Sequence, residues 1–107
     1  MLTKHKPIRD RKHLAWIRAL PCLVCGRTPC DPHHIRYGSN SGVGTKPGDD
    51  FTIPLCHTHH RELHDKGELR YLYDYGGYEK ARTLAKKLYE VTGDTERALE
   101  LICKWRK

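Results

Sequence analysis

The chain has 107 residues, room for one domain with a modest core. Hydrophobic residues make up 37% and charged residues 31%, so a chain this polar is expected to lean on a metal or a partner to hold its fold. No apolar run approaches the ~18 residues of a membrane helix, and the opening "MLTKHKPIRDRKH" has no apolar signal region. This argues against a membrane protein and makes a cytoplasmic, reducing setting the expectation, where cysteines near histidines are ligands before they are disulfides.

The elements read as follows in chain order. Residues 1–9 form a basic arm. Lys4, Lys6, Arg9, Arg11 and Lys12 make an electrostatic footprint suited to a phosphate backbone, or simply a solvated terminus. The net charge is +7, and residues 1–36 carry eight Lys/Arg against two Asp. A first helix is expected over 10–20, with Leu14, Ile17 and Leu20 on one face and Pro21 as its stop. "PCLVCG" follows as a knuckle, with Gly26 allowing the turn. Residues 33–37 read as a short strand, 38–50 as a Gly- and Ser-rich loop, and 51–54 as the returning strand. Residues 55–66 read as a helix ended by Gly67, and 68–75 as a further short helix. The next helix, over 78–92, has the apolar stripe Ala81, Leu84, Ala85 and Leu88, with Val91 beyond. Asp94 or Thr95 caps a last helix whose buried face is Ala98, Leu99, Ile102 and Trp105.

Two pairs have knuckle spacing: Cys22-x-x-Cys25 and Cys56-x-x-His59. Each two-residue gap lets both side chains reach one tetrahedral ion, so together they predict a closed Cys3His site for structural Zn2+. Cys30 is an alternative ligand, without a partner at knuckle spacing. Cys103 is expected to be a core residue. His60 and His64 stand at i and i+4 on one helix face and can meet at a second ion, with the strand bearing His33 and His34 as the source of the third ligand. Three neutral imidazoles leave coordination positions open, which is the catalytic type of site. The competing reading of His60 and His64 is a pair of solvated surface histidines. His57 is expected to be exposed or to sit behind a ligand.

The pattern "CLVCG...DPHHIR...DDFTIPLCHTHHRELH" resembles the HNH endonucleases, in particular a zinc-containing subgroup akin to the Ref-type nucleases of phages and prophages. The resemblance spans residues 10–68. It implies a small ββα-metal core, and with the elements above the expected fold is α+β: that core with its zinc knuckle over 22–67, an N-terminal helix before it, and a helical extension of two or three helices over 68–107. It implies His33 as a ligand of the catalytic ion and His34 as the general base, with His60 and His64 completing the ligand set. The family's middle Asn, which braces the base, has no clear match. Asp49 and Asp50 are nearest by position, Asn40 is distant, and Asp50 carries the expectation.

The chemistry agrees with the resemblance on independent grounds. Phosphodiester hydrolysis needs a water, a base for its proton and a cation at the phosphate, and a histidine titrating near ~6.5 suits the base. Arg36, Lys46 and Arg61 flank the expected site and can hold phosphates. The expected activity is metal-dependent cleavage of DNA, with Mg2+, Mn2+, Ni2+ or Zn2+ as the catalytic ion and RNA open as a substrate. The alternative is a non-catalytic zinc module that binds nucleic acid through the same basic face. Tyr37 either stacks on a base or packs.

Overall fold

The computed structural model describes residues 8–36 and 47–106. Lys4, Lys6, Tyr37, Asn40 and Lys46, together with most of the basic arm and of the Gly/Ser-rich loop, lie outside the described residues. The architecture is a small α+β domain of five helices around a two-stranded antiparallel sheet. No described helix is long and apolar enough to cross a membrane.

Helix α1 spans Arg11–Arg18, and Asp10 caps it by accepting the His13 N–H at 3.0 Å. The helix ends at Ala19, two residues before Pro21. The knuckle follows, turning at Gly26 with φ 80. Strands β1 (Asp31–His34) and β2 (Thr52–Leu55) pair with His33 opposite Ile53 and His34 opposite Thr52. Strand β1 thus starts two residues before the expected one. Pro32 is no obstacle, because it faces Pro54 and the proline pair costs the ladder only those positions. One turn of 3-10 helix, Asp49–Phe51, precedes β2, where the end of the loop and the first strand residue were expected. Helix α2 (His57–Lys66) ends at Gly67, whose φ of 92 turns the chain directly into α3 (Glu68–Tyr73). Helices α4 (Tyr78–Glu90) and α5 (Thr95–Arg106) complete the fold.

The core runs through the middle of this assembly. Ile17 and Leu20 from the α1 end, Leu23 from the knuckle, Ile35, Ile53 and Leu55 from the sheet region, and Leu63 from α2 are all essentially buried. The α4 stripe joins them with Ala81, Leu84, Ala85 and Leu88 buried as expected, and it packs on β2, the 3-10 turn, α3 and α5. Two expectations fail on α5. Leu99 is 44% exposed, and Cys103 is exposed rather than core. The helix covers itself only against neighbours on one side, so its buried stripe is the i, i+4, i+7 line Ala98, Ile102, Trp105; Leu99 and Cys103 lie about 100° off that line. Asp94 rather than Thr95 caps this helix, accepting the Arg97 N–H at 3.1 Å.

Candidate metal centres and cleft

The chain direction through the knuckle and β2 brings the two half-sites together. The Leu23 N–H donates to the Pro54 carbonyl at 3.1 Å, fastening the knuckle to the strand that leads into Cys56. Cys56 is the N-cap of α2, and His59 stands in its first turn. Among the described residues, Cys22, Cys25, Cys56 and His59 have ligand atoms within 4.8 Å of one another. Two sulfurs on one tetrahedral Zn2+ stand about 3.8 Å apart, and a sulfur and an imidazole nitrogen about 3.5 Å. Cys25 Sγ and Cys56 Sγ are 3.7 Å apart, and His59 Nδ1 is 3.6 Å from Cys22 Sγ and 3.1 Å from Cys56 Sγ. The donor set and its spacing fit zinc.

Cys30 stands behind this cluster. It is buried, and its thiol donates to the Arg27 carbonyl at 3.3 Å. The contact with Cys30 is the main cause that pulls the Cys22 thiol down toward thiolate, while Cys30 itself is pushed up by the same contact. Cys30 therefore fits the role of a protonated neighbour better than that of a ligand, and it stands outside the four-ligand cluster. Burial pushes the Cys56 thiol up, and a bound cation reverses that by deprotonating a coordinating sulfur.

The second cluster is His33, His60 and His64. Successive residues of β1 point to opposite faces, so His33 turns toward α2 and is 3% exposed, while His34 turns the other way. The His33 ring centre lies 5.1 Å from that of His60 and 5.7 Å from that of His64. His60 Nε2 and His64 Nε2 approach to 3.1 Å. Two nitrogens bound at about 2.1 Å to one ion at 90–110° stand about 3.0–3.4 Å apart, so this pair has ligand spacing. Burial lowers the His60 pKa, which favours the neutral form a metal needs.

Two carboxylates stand outside the imidazoles. Asp31 Oδ2 is 3.2 Å from His60 Nδ1, which leaves Nε2 of that ring as the lone pair. Glu68 Oε1 is 2.7 Å from His33 Nε2, and both Glu68 oxygens accept the Arg36 N–H, at 2.9 and 3.1 Å. His57 is 82% exposed and stands 3.5 Å from Asp31, consistent with its place behind a ligand.

His34 Nε2 donates to Asp49 Oδ1 at 2.8 Å, since an ionised carboxylate can only accept, so Nδ1 is the lone pair of the neutral ring. The carboxylate that reaches His34 is thus Asp49, where the expectation was Asp50. The physical reason is the 3-10 turn: it aims Asp49 inward at 4% exposure and folds the Asp50 carboxylate back over Gly48, where any Cβ would collide with it. A cleft of about 830 Å³ opens over the two histidine groups, with Arg9, Arg11, Arg36, His33, His34 and His64 among its lining residues. Arg61 borders a smaller cavity beside His57 and His60, and Lys12 is exposed on α1 without lining the cleft.

A family model described as a protein of unknown function, DUF968, matches residues 2–88, which include every candidate ligand. The chain belongs to this family. A 63-residue stretch is 41% identical to the uncharacterized protein YdfU of Escherichia coli (strain K12), covering 59% of this chain and 18% of that protein. The chain thus spans less than a fifth of the length of that relative. No solved structure matches.

In this member of the DUF968 family, each half-site read from spacing lies beside the half it was paired with. What the sequence reading missed are the outer carboxylates Asp31 and Glu68. Asp31 precedes "PHH" at the strand start and carried a weak signal. Glu68 carried none, because it lies beyond Gly67 in a separate helix.

Proposed function

We propose that the chain is a metal-dependent endonuclease of the HNH type, with β1, β2 and α2 as a ββα-metal core, that hydrolyses phosphodiester bonds in DNA. The observation that carries this reading is the juxtaposition in one cleft of three convergent imidazoles and a fourth, His34, held by a buried carboxylate. A closed Cys3His site needs no cleft, and a nucleic-acid-binding module needs no braced histidine.

In this reading, Asp49 fixes the His34 ring so that Nδ1 faces the cleft and takes the proton of the attacking water. His33, His60 and His64 hold a divalent ion, which supplies charge stabilisation at the scissile phosphate and the departing oxygen. Arg9, Arg11 and Arg36 line the approach and neutralise flanking phosphates. Cys22, Cys25, Cys56 and His59 hold Zn2+ and fix the first turn of α2, so that His60 and His64 meet His33. Lys4, Lys6 and Lys46 are expected to add to the DNA contact.

Elemental analysis tests the two sites and a supercoiled plasmid tests the activity. The expected result is one tightly held zinc, a second exchangeable ion, and nicking that requires added Mg2+, Mn2+ or Ni2+. One ion per chain and no nicking under any divalent ion would leave a zinc-binding module instead.

A further inference from the structure

The helical extension reaches the three-histidine site through Glu68. It is 13% exposed, in the first turn of α3, one residue after the reversal at Gly67. Its partner His33 is 4% exposed at the side chain, and their 2.7 Å contact is a short, charge-assisted one. An ionised carboxylate accepts only, so His33 carries its proton on Nε2 and Nδ1 is its remaining lone pair. The same carboxylate accepts the Arg36 amide on both oxygens, just past the end of β1. His33 and Arg36 both line the cleft. One anionic group thus fixes the ring of a ligand and the backbone that follows it.

We propose that Glu68 is a positioning residue for the ion of the three-histidine site: it holds His33 in the tautomer that offers Nδ1, and its grip on the Arg36 amide locks the strand exit beside that ligand. The inference rests on the ion-binding part of the function proposed above, not on nuclease activity. A carboxylate behind a metal-bound imidazole orients the ring and raises its basicity, and removing such a partner typically weakens metal binding about 10–100-fold. Burial makes the effect strong here, because losing the carboxylate leaves the Nε2–H of a 3%-exposed ring without its partner.

The test uses the full chain loaded with zinc at the Cys3His site and titrated with Ni2+ alone. Glu68→Gln keeps the shape and one acceptor but loses the charge; Glu68→Ala loses both. The expected result is Ni2+ affinity reduced about 10–100-fold in Glu68→Ala and by less in Glu68→Gln, with one zinc per chain in both. A long-range proton–nitrogen spectrum should show the Nε2–H tautomer of His33 in wild type and a mixture of tautomers in Glu68→Ala. A purely structural role for Glu68 would lower the melting temperature and leave the Ni2+ affinity and the tautomer of folded Glu68→Gln unchanged, which overturns the proposal. If Glu68→Ala fails to fold, Glu68→Gln decides alone. Wild type that binds Ni2+ as expected but never nicks DNA sinks the nuclease reading and leaves this inference standing.

Discussion

Two donors and one cation converge on Asp49, which is only 4% exposed: the Asp10 N–H at 2.7 Å, His34 Nε2 at 2.8 Å, and the Arg9 guanidinium as an ion pair at 3.7 Å. Its own N–H donates to the Ile8 carbonyl at 2.8 Å, so the start of α1 and the strand entry are tied at one residue. If His34 is the base, Asp49→Ala should slow plasmid nicking by roughly tenfold or more, approaching the about 10²–10⁴-fold expected when a general base is lost. Asp50→Ala should stay within about twofold, because its carboxylate does not face His34. Equal nicking rates for wild type and folded Asp49→Ala would contradict the brace.

His13 sets a pH dependence of a different kind. It is fully buried against Tyr89 and Trp16. Thr92 Oγ1 donates to the Tyr89 carbonyl, so His13 Nδ1 donates to Thr92 Oγ1 at 2.8 Å, and its Nε2 is an acceptor without a hydrogen-bond partner among the described residues. Burial lowers its pKa below 6.5, with Asp10, Asp49 and Asp50 opposing weakly. The unfolded chain therefore binds the proton more readily, and stability present above about pH 6.5 is lost as the pH falls through and below that value. Melting curves of wild type and His13→Gln, both zinc-loaded, measure this. The wild type should lose more melting temperature between pH 7 and pH 5 than the variant; parallel curves contradict it.

At the scale of elements, α2 is the piece that serves two sites. Adjacent residues on a helix are about 100° apart, so His59 turns to the knuckle while His60 turns to β1. The substitutions should separate accordingly. His59→Ala should lose the tightly held zinc and much of the fold, since structural zinc in small domains supplies about 10–16 kcal/mol of apparent binding energy. His60→Ala should keep the zinc and the helical circular dichroism while losing the exchangeable ion. Zinc content and Ni2+ binding on both variants check this, and loss of zinc from His60→Ala would show that the two sites are not independent.

Helices and knuckle spacing were legible because they are local. The i, i+3, i+4 stripe of α4 and the two-residue gaps are periodicities that a chain displays before it folds. The exchange of Asp50 for Asp49 was not legible, since a single 3-10 turn decides which of two neighbouring carboxylates faces inward. The exposure of Cys103 was hidden for a related reason: a stripe on a terminal helix has no sequence sign of where its cover ends. Glu68 was invisible for a third, because its contacts to His33 and Arg36 span 35 and 32 residues.

At the scale of the whole molecule, the first 36 residues carry the charge surplus. Among the described residues they supply Arg9, Arg11 and Arg36 to the cleft, while α5 adds none of its lining. Binding to DNA should therefore weaken steeply with salt, with a log–log slope of about −0.9 for each phosphate neutralised. Arg11→Ala should reduce that slope by about one, and Lys104→Ala on α5 should not change it. Filter binding across salt concentrations measures both, and equal slopes for the two variants would separate the basic face from the cleft.

The most direct test compares His34→Ala with wild type on a supercoiled plasmid, both zinc-loaded and supplied with the same Mn2+ or Mg2+. The predicted result is nicking by wild type and its loss, by about 10²-fold or more, in a variant that keeps its zinc, its exchangeable ion and its melting temperature. Nicking at the wild-type rate by His34→Ala would contradict the central claim that this histidine, braced by Asp49 beside three convergent imidazoles, is the base.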